Sequence, residues 1–276
     1  MPVLNKLISL YRNEGFRIST GLNPCHFENY PLAQFTWLVR DGESQTNGLG
    51  IAMQEIYFLE CLFDGYQPKN IFIIGNSFGW STLALALLNP EAKLIAIDSG
   101  YDKNSLEGIE LTNKLAASGG LNNVTVLKGA SPQDVAPIIS ENFDEKIDFA
   151  FIDGLHTNEQ IVLDFDAVKA QAKDGAVYLF HDIYEFDLQD GFGENSQLAG
   201  YQSDILMGTP SGIGLLYPDD APQNIKDTVQ SFSLDEAVRS VIDHELWGWK
   251  HRHLKRYKNS FKKRTDKLKK LMGSSS

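Results

Sequence analysis

The sequence predicts an α/β fold, a doubly wound and mostly parallel sheet flanked by helices. Two observations support this fold class. Short apolar segments alternate with helical patterns between residues 51 and 182, and such segments are typical of strands buried on both faces. An alternation of strands and helices favours parallel strands that are joined by right-handed helical crossovers.

Five strands are predicted in this region, each an apolar run bounded by turn residues. The first, IFIIG, leads into a turn with two glycines, and the second, KLIAIDSG, has an acid near its end. The predicted strands are 71–75, 93–100, 123–131, 146–154 and 176–182.

Helical spacing of apolar residues predicts the segments between these strands. The first helix ends near Gly65, with Pro68 just beyond it, and the last is followed by a turn at Asp174 and Gly175. The predicted helices are 51–64, 81–88, 105–118, a helix that begins at 134, and 158–173.

The flanking segments carry weaker signals. We expect an N-terminal helical or cap segment over 1–50, the α/β domain over 51–220, and a helical, basic extension over 221–276. Residues 184–204 are rich in Gly, Asp, Asn and Gln, which is typical of a lid or a disordered connection. Residues 211–218 are expected to form a late strand at the edge of the sheet.

Composition indicates a globular protein of the cytoplasm. Of 276 residues 42% are hydrophobic, yet no apolar run approaches the roughly 20 residues of a membrane-spanning helix. The N-terminal residues mix charged and apolar side chains, unlike a signal peptide. Cys25 and Cys61 lack the spacing of a metal site, so we expect reduced thiols and a cytoplasmic location.

Charge is distributed unevenly along the chain. Residues 250–270 contain 11 Lys or Arg and one acid, which leaves 14 basic and 35 acidic residues, a net charge of −21, for the rest. Because an acidic body repels phosphates, we expect no nucleic-acid partner. The basic segment carries Leu254, Tyr257, Phe261 and Leu268 at roughly heptad spacing. We expect it to pack on the acidic body or on a neighbouring subunit of a homo-oligomer, with contact to an anionic membrane surface as an open alternative.

Candidate ligand-binding residues follow the first predicted strand. In an open parallel sheet, ligands bind beyond the carboxyl ends of the strands, at the point where the strand order reverses. Glycines in the turn allow a ligand to approach the backbone, and a helix N-terminus lies behind the turn. The candidates here are Gly75, Asn76, Ser77, Gly79 and Trp80.

The other four strand ends add chemical groups at the same edge. Asp98 ends the second strand about 20 residues after the glycine turn, where a carboxylate can accept hydrogen bonds from both hydroxyls of a ribose. The remaining candidates are Gly129, Ala130 and Ser131 after the third strand, Asp153 and His156 after the fourth, and His181 and Asp182 after the fifth.

Two cofactors suit a ribose-binding acid at this place, a nicotinamide dinucleotide and S-adenosylmethionine. A dinucleotide site has the pattern Gly-x-Gly-x-x-Gly, which makes room for a pyrophosphate. Here Ser77 and Trp80 take the places of the second and third glycines after Gly75. The turn therefore favours S-adenosylmethionine.

Four segments, in this order, resemble class I S-adenosylmethionine-dependent O-methyltransferases of the catechol O-methyltransferase type and of the metal-dependent sugar or antibiotic type. IFIIGNSFGWSTLALALLNPEAKLIAID is similar to their first motif, and VTVLKGASPQDVAPII is similar to the segment that lines the adenine. DFAFIDGLH and VYLFHD resemble their metal-bearing strand ends. The similarity covers about residues 50–183 and implies a Rossmann-like methyltransferase fold, with S-adenosylmethionine bound within 51–220.

The resemblance implies roles for the matching residues. His156 falls where the family places its general base, a position that is His in some sugar enzymes. The implied cofactor contacts are Gly75, Asn76, Ser77, Gly79, Trp80, Asp98, Gly129, Ala130, Ser131 and Asp153. The implied ligands of a divalent metal, Mg²⁺ or Mn²⁺, are Asp153, His181 and Asp182.

The chain departs from the family at two positions. Ile73 stands where the family has an acid that supports the methionine end of the cofactor. His181 stands where the family has a carboxylate or an amide. Because Mg²⁺ prefers oxygen ligands, a ligating His at this place favours Mn²⁺, Fe²⁺ or Zn²⁺.

These features predict an enzyme that transfers a methyl group from S-adenosylmethionine to a hydroxyl of a small molecule. The His base and the long connection after Asp182 favour a sugar, glycoside or natural product over a catechol. A divalent cation would orient two vicinal oxygens and lower their pKa, and His156 would take the proton. A non-catalytic S-adenosylmethionine-binding or scaffold protein, suggested by Ile73 and His181, and an NAD-dependent oxidoreductase are the alternatives.

Overall fold

The computed structural model of the chain describes residues 2–46, 50–101, 103–252, 260 and 262–265. Contacts divide the chain into two compact units, Met1–Ser233 and Leu234–Ser276. Within the described residues, no helix is both long enough and apolar enough to cross a membrane.

The first unit contains a small sheet near the N-terminus and a large central sheet. Its strands are β1 Arg17–Ser19, β2 Trp37–Arg40, β3 Glu43–Ser44, β4 Asn70–Ile74, β5 Lys93–Asp98, β6 Val124–Lys128, β7 Ile147–Ile152, β8 Ala172–Phe180, β9 Tyr201–Leu206 and β10 Ile213–Pro218.

Helices flank the central sheet. In the first unit they are α1 Val3–Asn13, α2 Met53–Gly65, α3 Trp80–Leu88, α4 Lys103–Ser118, α5 Val135–Asn142, α6 Asn158–Lys169, α7 Gln189–Asn195 and α8 Gln223–Phe232, with short 3₁₀ helices at Pro24–His26 and Pro31–Gln34. In the second unit α9 is Glu236–Lys250, and the side chain of Asp235 caps it by accepting from the N–H groups of Ala237 and Val238.

The strand order of the central sheet is β6-β5-β4-β7-β8-β10-β9. The first five of these strands are parallel, whereas β10 runs antiparallel to both of its neighbours. This arrangement confirms the predicted doubly wound, mostly parallel sheet. The chain reverses its direction of travel across the sheet between β4 and β7, so ligands are expected beyond the carboxyl ends of these two strands.

Apolar layers cover both faces of the central sheet. One layer includes Leu7 of α1, Leu59 of α2 and Val229 of α8. The opposite layer includes Ile139 of α5 and Phe165 of α6. Every residue of β7 is buried, which agrees with a continuous apolar run in a strand covered on both faces.

The structure corrects the prediction for the region after residue 183. The segment 184–204, predicted as a lid or a disordered connection, contains α7 and the beginning of β9. Strand β9 is the edge strand, so β10 lies inside the sheet and not at its edge as predicted. Strand β9 was not predicted because most of its residues are partly or fully exposed, so its sequence has no apolar run.

Two further segments differ in detail from what the sequence pattern indicates. Asp174 and Gly175, predicted as a turn before the fifth strand, lie within β8 next to a register irregularity between β7 and β8, and Gly175 has a φ of +80°. The N-terminal segment is helical only in α1 and the two 3₁₀ helices, and β1, β2 and β3 form an antiparallel sheet. Strands of two to four residues are too short to give a period in the sequence.

The division between the two units falls after Ser233, whereas the predicted extension begins at residue 221. The reason is that α8 packs on α2, where the rings of Phe58 and Phe232 lie 5.1 Å apart. The predicted contact residues of the basic segment, Leu254, Tyr257, Phe261 and Leu268, lie outside the described residues.

Candidate active site

The parallel ladder brings the predicted strand ends to one edge of the sheet. Just beyond β4, the N–H of Gly75 donates to the carbonyl of Ile97 in β5 at 2.9 Å. Just beyond β7, the N–H of Asp153 donates to the carbonyl of Ile74 at 2.8 Å. The groups predicted from separate strands therefore meet within a few ångströms of one another.

A cavity of about 670 Å³ opens at this edge, a size within the usual range for small-molecule sites. Of the predicted residues, Gly79 and His181 do not line it. Those that do are Gly75, Asn76, Ser77, Trp80, Asp98, Gly129, Ala130, Ser131, Asp153, His156 and Asp182.

The glycines of the first turn serve close packing. A Cβ on Gly75, whose φ is +93°, would lie 1.8 Å from the carbonyl oxygen of Asp153. A Cβ on Gly79, whose φ is +79°, would lie 2.1 Å from the Oγ1 of Thr112 in α4. Gly75 therefore lets β4 and β7 meet at the cavity, whereas Gly79 lets α4 approach the turn.

Asn76 holds the turn together through its buried side chain. Its amide donates to the Oγ1 of Thr112 at 3.1 Å, and its oxygen accepts from the Oγ1 of Thr82 at 2.9 Å. The side chain thus ties the turn to α4 through Thr112 and to α3 through Thr82.

Asp98 is held in a fixed orientation by backbone donors. One carboxylate oxygen accepts from the N–H groups of Asn76 at 3.1 Å and Ser77 at 3.0 Å, and the other accepts from the N–H of Gly100 at 3.1 Å. The oxygen that accepts from Gly100 has a further acceptor position, so the group can still bind a hydroxyl in the cavity that it lines.

The turn after β6 is fixed by helix α6. The Ser131 hydroxyl donates to Asp164 at 2.5 Å, and the Gln160 amide donates to the same carboxylate oxygen at 2.7 Å and to the carbonyl of Ser131 at 3.1 Å. Both Gln160 and Asp164 line the cavity. Burial raises the pKa of Asp164 above its ordinary value, although these hydrogen bonds oppose the rise.

Asp153, His181 and Asp182 form the one group that could hold a metal ion among the described residues, and their ligand atoms all lie within 4.8 Å of one another. The Nδ1 of His181 lies 3.0 Å from an oxygen of Asp182 and 3.6 Å from an oxygen of Asp153. Asp182 has a φ of +62°, a strained conformation that aspartate tolerates better than most residues.

The charges of this group shift the pKa values of its members. Burial opposes ionisation of Asp153, but His181 and His156 lower its pKa to about 2. Burial disfavours a charged His181, but the neighbouring carboxylates, led by that of Asp182, raise its pKa well above the usual value.

His156 lies beside this group. Its Nε2 is 3.4 Å from an oxygen of Asp153 and 3.2 Å from an oxygen of Asp182. Burial lowers the pKa of His156, but the hydrogen bond to Asp153 and the two carboxylate charges outweigh burial and raise it. The ring of Phe186 stacks on the imidazole at 4.2 Å, with an angle of 13° between the planes.

Glu55 of α2 is fully buried on the other side of His181. Its carboxylate lies 3.2 Å from the Nε2 of His181 and accepts from the N–H of Ser211 at 3.0 Å. Burial opposes ionisation of Glu55, but the charge of His181 and these hydrogen bonds lower its pKa below the ordinary value.

The sequence analysis did not predict four residues of the site, which are Glu55, Gln160, Asp164 and Phe186. Gln160 and Asp164 are four apart in a predicted helix that follows a functional strand end, and this spacing could have indicated them. Glu55 and Phe186 have no such signal, because Glu55 is 126 residues from its partner His181 and Phe186 lies in the segment predicted as a lid.

Trp80 lies at the border between the cavity and the core, whereas Ile73 lies within the core. Trp80 begins α3 and is 2% exposed, its ring lies 5.3 Å from that of Tyr11, and its Nε1 has no hydrogen-bond partner in the described part of the chain. Ile73 is fully buried in the apolar layer, between Ala96 of β5 and Phe151 of β7.

Comparison with known proteins supports the doubly wound α/β fold described above. Residues 72–183 match the family model of a methyltransferase domain. No curated protein sequence matches the chain.

Solved structures share the fold at low sequence identity. A protein assigned as an O-methyltransferase in Klebsiella pneumoniae has a TM-score of 0.53 and 14% identity, over 79% of this chain and 90% of that one. The O-methyltransferase TomG of Streptomyces achromogenes, involved in tomaymycin synthesis and solved with SAM, has a TM-score of 0.52 and 16% identity, over 79% of this chain and 90% of TomG. A protein assigned as a caffeoyl-CoA O-methyltransferase in Staphylococcus aureus has a TM-score of 0.51 and 16% identity, over 78% of this chain and 99% of that one. The chain therefore has the Rossmann-like methyltransferase fold.

Proposed function

We propose that this protein transfers the methyl group of S-adenosylmethionine to a hydroxyl of a small molecule. A divalent cation would polarise this hydroxyl, and His156 would act as the general base. The observation that carries the proposal is the meeting of five strand ends at one cavity. They supply an oriented ribose acid, a polar turn, a carboxylate–histidine group and a base.

The methyl donor is assigned to the part of the cavity between Asp98 and Ser131. Asp98 is suited to bind the ribose because its carboxylate is already oriented by backbone donors. The turn at Gly129, Ala130 and Ser131 would border the adenine. When bound, S-adenosylmethionine supplies an electrophilic methyl group, and the role of the protein is to align an acceptor oxygen with it.

Asp153, His181 and Asp182 would hold the cation, and their chemistry fits one. The Nδ1 of His181 is buried with no hydrogen-bond partner in the described structure, and two carboxylate oxygens lie near it. When bound, a divalent cation polarises the acceptor hydroxyl and lowers its pKa.

His156 is assigned as the base. It lines the cavity, its side chain is partly exposed, and Asp153 and Asp182 hold its Nε2 near the cation ligands. Phe186 stacks on its ring and restricts the orientation of the imidazole. Because a carboxylate can only accept, Nε2 keeps its hydrogen toward Asp153 and Asp182, and Nδ1 would take the proton of a hydroxyl that reaches the cavity.

The acceptor is assigned as a sugar, glycoside or hydroxylated natural product. This choice is supported by His156, because the resemblance places it where some sugar enzymes have a His base. Leu155, next to His156 in sequence, and Phe186, which stacks on its ring, are exposed apolar side chains, and they suit an acceptor that has an apolar portion beside its hydroxyls.

The test is transfer of a labelled methyl group from S-adenosylmethionine to a panel of glycosides, hydroxylated natural products and catechols. We expect transfer that is abolished by EDTA and lowered at least about 100-fold in His156→Ala. His244→Ala, in exposed α9, is the matched control and should retain full activity. Activity that survives both EDTA and His156→Ala would remove the metal-and-base mechanism. Binding of the donor without transfer to any acceptor would favour the non-catalytic alternative.

A further inference from the structure

We infer that Glu55 is a positioning residue, which orients His181 so that its Nδ1 is a metal ligand and thereby makes this site select Mn²⁺ over Mg²⁺. The inference rests on the proposed cation site of Asp153, His181 and Asp182. It adds a residue from α2, outside every strand end considered so far, and a choice of metal.

The carboxylate of Glu55 is surrounded by donors. Oε2 accepts from the N–H of Ala52 at 2.6 Å and lies 3.2 Å from the Nε2 of His181, and Oε1 accepts from the N–H of Ser211 at 3.0 Å and its hydroxyl at 2.5 Å. The Glu55 side chain is 0% exposed and that of His181 is 1% exposed. Neither group can exchange its partner for water without local opening of the structure.

This contact decides which imidazole nitrogen faces the cavity edge. A carboxylate can only accept, so the Nε2 of His181 must carry a hydrogen toward Glu55. With a hydrogen fixed on Nε2, a cation that replaces the hydrogen on Nδ1 would meet a nitrogen lone pair, which is the form that binds metals. A carboxylate behind a ligating His also increases the electron density of the ring and strengthens the bond to the metal.

The surroundings of Nδ1 point to a cation. Nδ1 has no hydrogen-bond partner in the described structure, although oxygens of Asp182 and Asp153 lie 3.0 and 3.6 Å away. The ligand atoms of the three residues all lie within 4.8 Å of one another, close enough to bind a single ion.

A nitrogen ligand changes the preferred metal. Mg²⁺ binds oxygen ligands and retains its waters, whereas Mn²⁺, Fe²⁺ and Zn²⁺ accept imidazole readily. The pairing of His181 with Glu55 therefore replaces an all-oxygen site by a site with one nitrogen ligand. The same pairing explains how a His is accommodated at this buried position without an unpaired Nε2.

A purely structural role for Glu55 makes a different prediction. Glu55 also caps the first turn of α2 through Ala52 and holds Ser211 before β10. Ser211→Ala removes one hydrogen bond to Glu55 and leaves the contact with His181 intact, so it is the matched control. If Glu55 only stabilises the fold, both substitutions should lower stability and neither should alter metal binding.

The experiment is a titration of the full chain with Mn²⁺, followed by the EPR signal of the free ion, with Mg²⁺ as competitor and thermal unfolding as a check on folding. Pulsed EPR of bound Mn²⁺ reports a ¹⁴N coupling if an imidazole is a ligand. For the wild type we expect this coupling and Mn²⁺ binding at least about 10-fold tighter than Mg²⁺ binding. Glu55→Gln should bind Mn²⁺ about 10–100-fold more weakly, whereas Ser211→Ala should bind it as the wild type does.

His181→Asn places an oxygen near the position of Nδ1. In this variant the ¹⁴N coupling should disappear and the preference for Mn²⁺ over Mg²⁺ should fall. Unchanged Mn²⁺ affinity and ¹⁴N coupling in Glu55→Gln would overturn the inference. Wild-type Mn²⁺ spectra without ¹⁴N coupling would also overturn it, and this result does not depend on the folding of any variant. No Mn²⁺ binding at all would remove the cation site, while binding of S-adenosylhomocysteine in the same sample would leave the methyl-donor assignment standing.

Discussion

Individual carboxylates in this site differ in what they are used for, and the differences follow from their hydrogen bonds. Asp98 accepts from three backbone N–H groups and is fixed as an acceptor toward the cavity. Asp164 accepts from the side chains of Ser131 and Gln160 and fixes a turn. Glu55 has no access to solvent and acts on His181.

Asp164 provides a pH-dependent prediction for the unliganded protein. Its folded pKa is raised by burial, so between the unfolded value of about 3.9 and the folded value the native state binds more protons and stability falls as pH rises. Asp164→Asn cannot ionise and should escape this loss. We expect the variant to gain stability relative to the wild type at pH 7, on the order of 1 kcal/mol, and to gain less at pH 3.

Urea unfolding of both proteins at several pH values measures this difference. The matched control is Asp166→Asn, on an exposed position of the same helix, which should change stability little at any pH. A stability difference between Asp164→Asn and the wild type that is constant from pH 3 to pH 7 would contradict the prediction.

At the scale of elements, the junction of β4 and β7 depends on the absence of a side chain at Gly75. Its φ is +93°, and an added Cβ would lie 1.8 Å from the carbonyl oxygen of Asp153. We expect Gly75→Ala to lower the free energy of unfolding by at least about 3 kcal/mol, because two strand ends must separate. Thermal unfolding measures the effect.

Gly193→Ala is the control for this substitution. Gly193 lies in α7 with nothing within 4 Å of an added Cβ, so the change should be neutral or stabilise the protein by up to about 1 kcal/mol. Equal stability of the Gly75 and Gly193 variants would show that the close approach at Gly75 is not needed.

Elements were predictable where burial leaves a pattern in the sequence. The parallel strands β4 to β8 are apolar runs because helices cover both faces of the sheet. Strand β9 and the short strands of the N-terminal sheet have no such pattern, since they are exposed or very short. The candidate site was predictable for residues that follow strands, but Glu55 reaches it only through a tertiary contact with His181.

For the whole molecule, those described residues that line the cavity belong to the first unit, Met1–Ser233. We therefore expect a chain that ends at Ser233 to fold and to bind S-adenosylhomocysteine with an affinity within about twofold of the full chain. Calorimetry on both proteins measures this. A large loss of affinity on removal of Leu234–Ser276 would mean that the basic segment contributes to the site.

The central claim is that the cavity binds a methyl donor and not a dinucleotide. Isothermal calorimetry with S-adenosylhomocysteine and with NAD tests it most directly. We expect S-adenosylhomocysteine to bind with a Kd of about 1 μM to 1 mM, to bind at least about 10-fold more weakly to Asp98→Ala, and NAD not to bind. Binding of NAD without binding of S-adenosylhomocysteine would contradict the account.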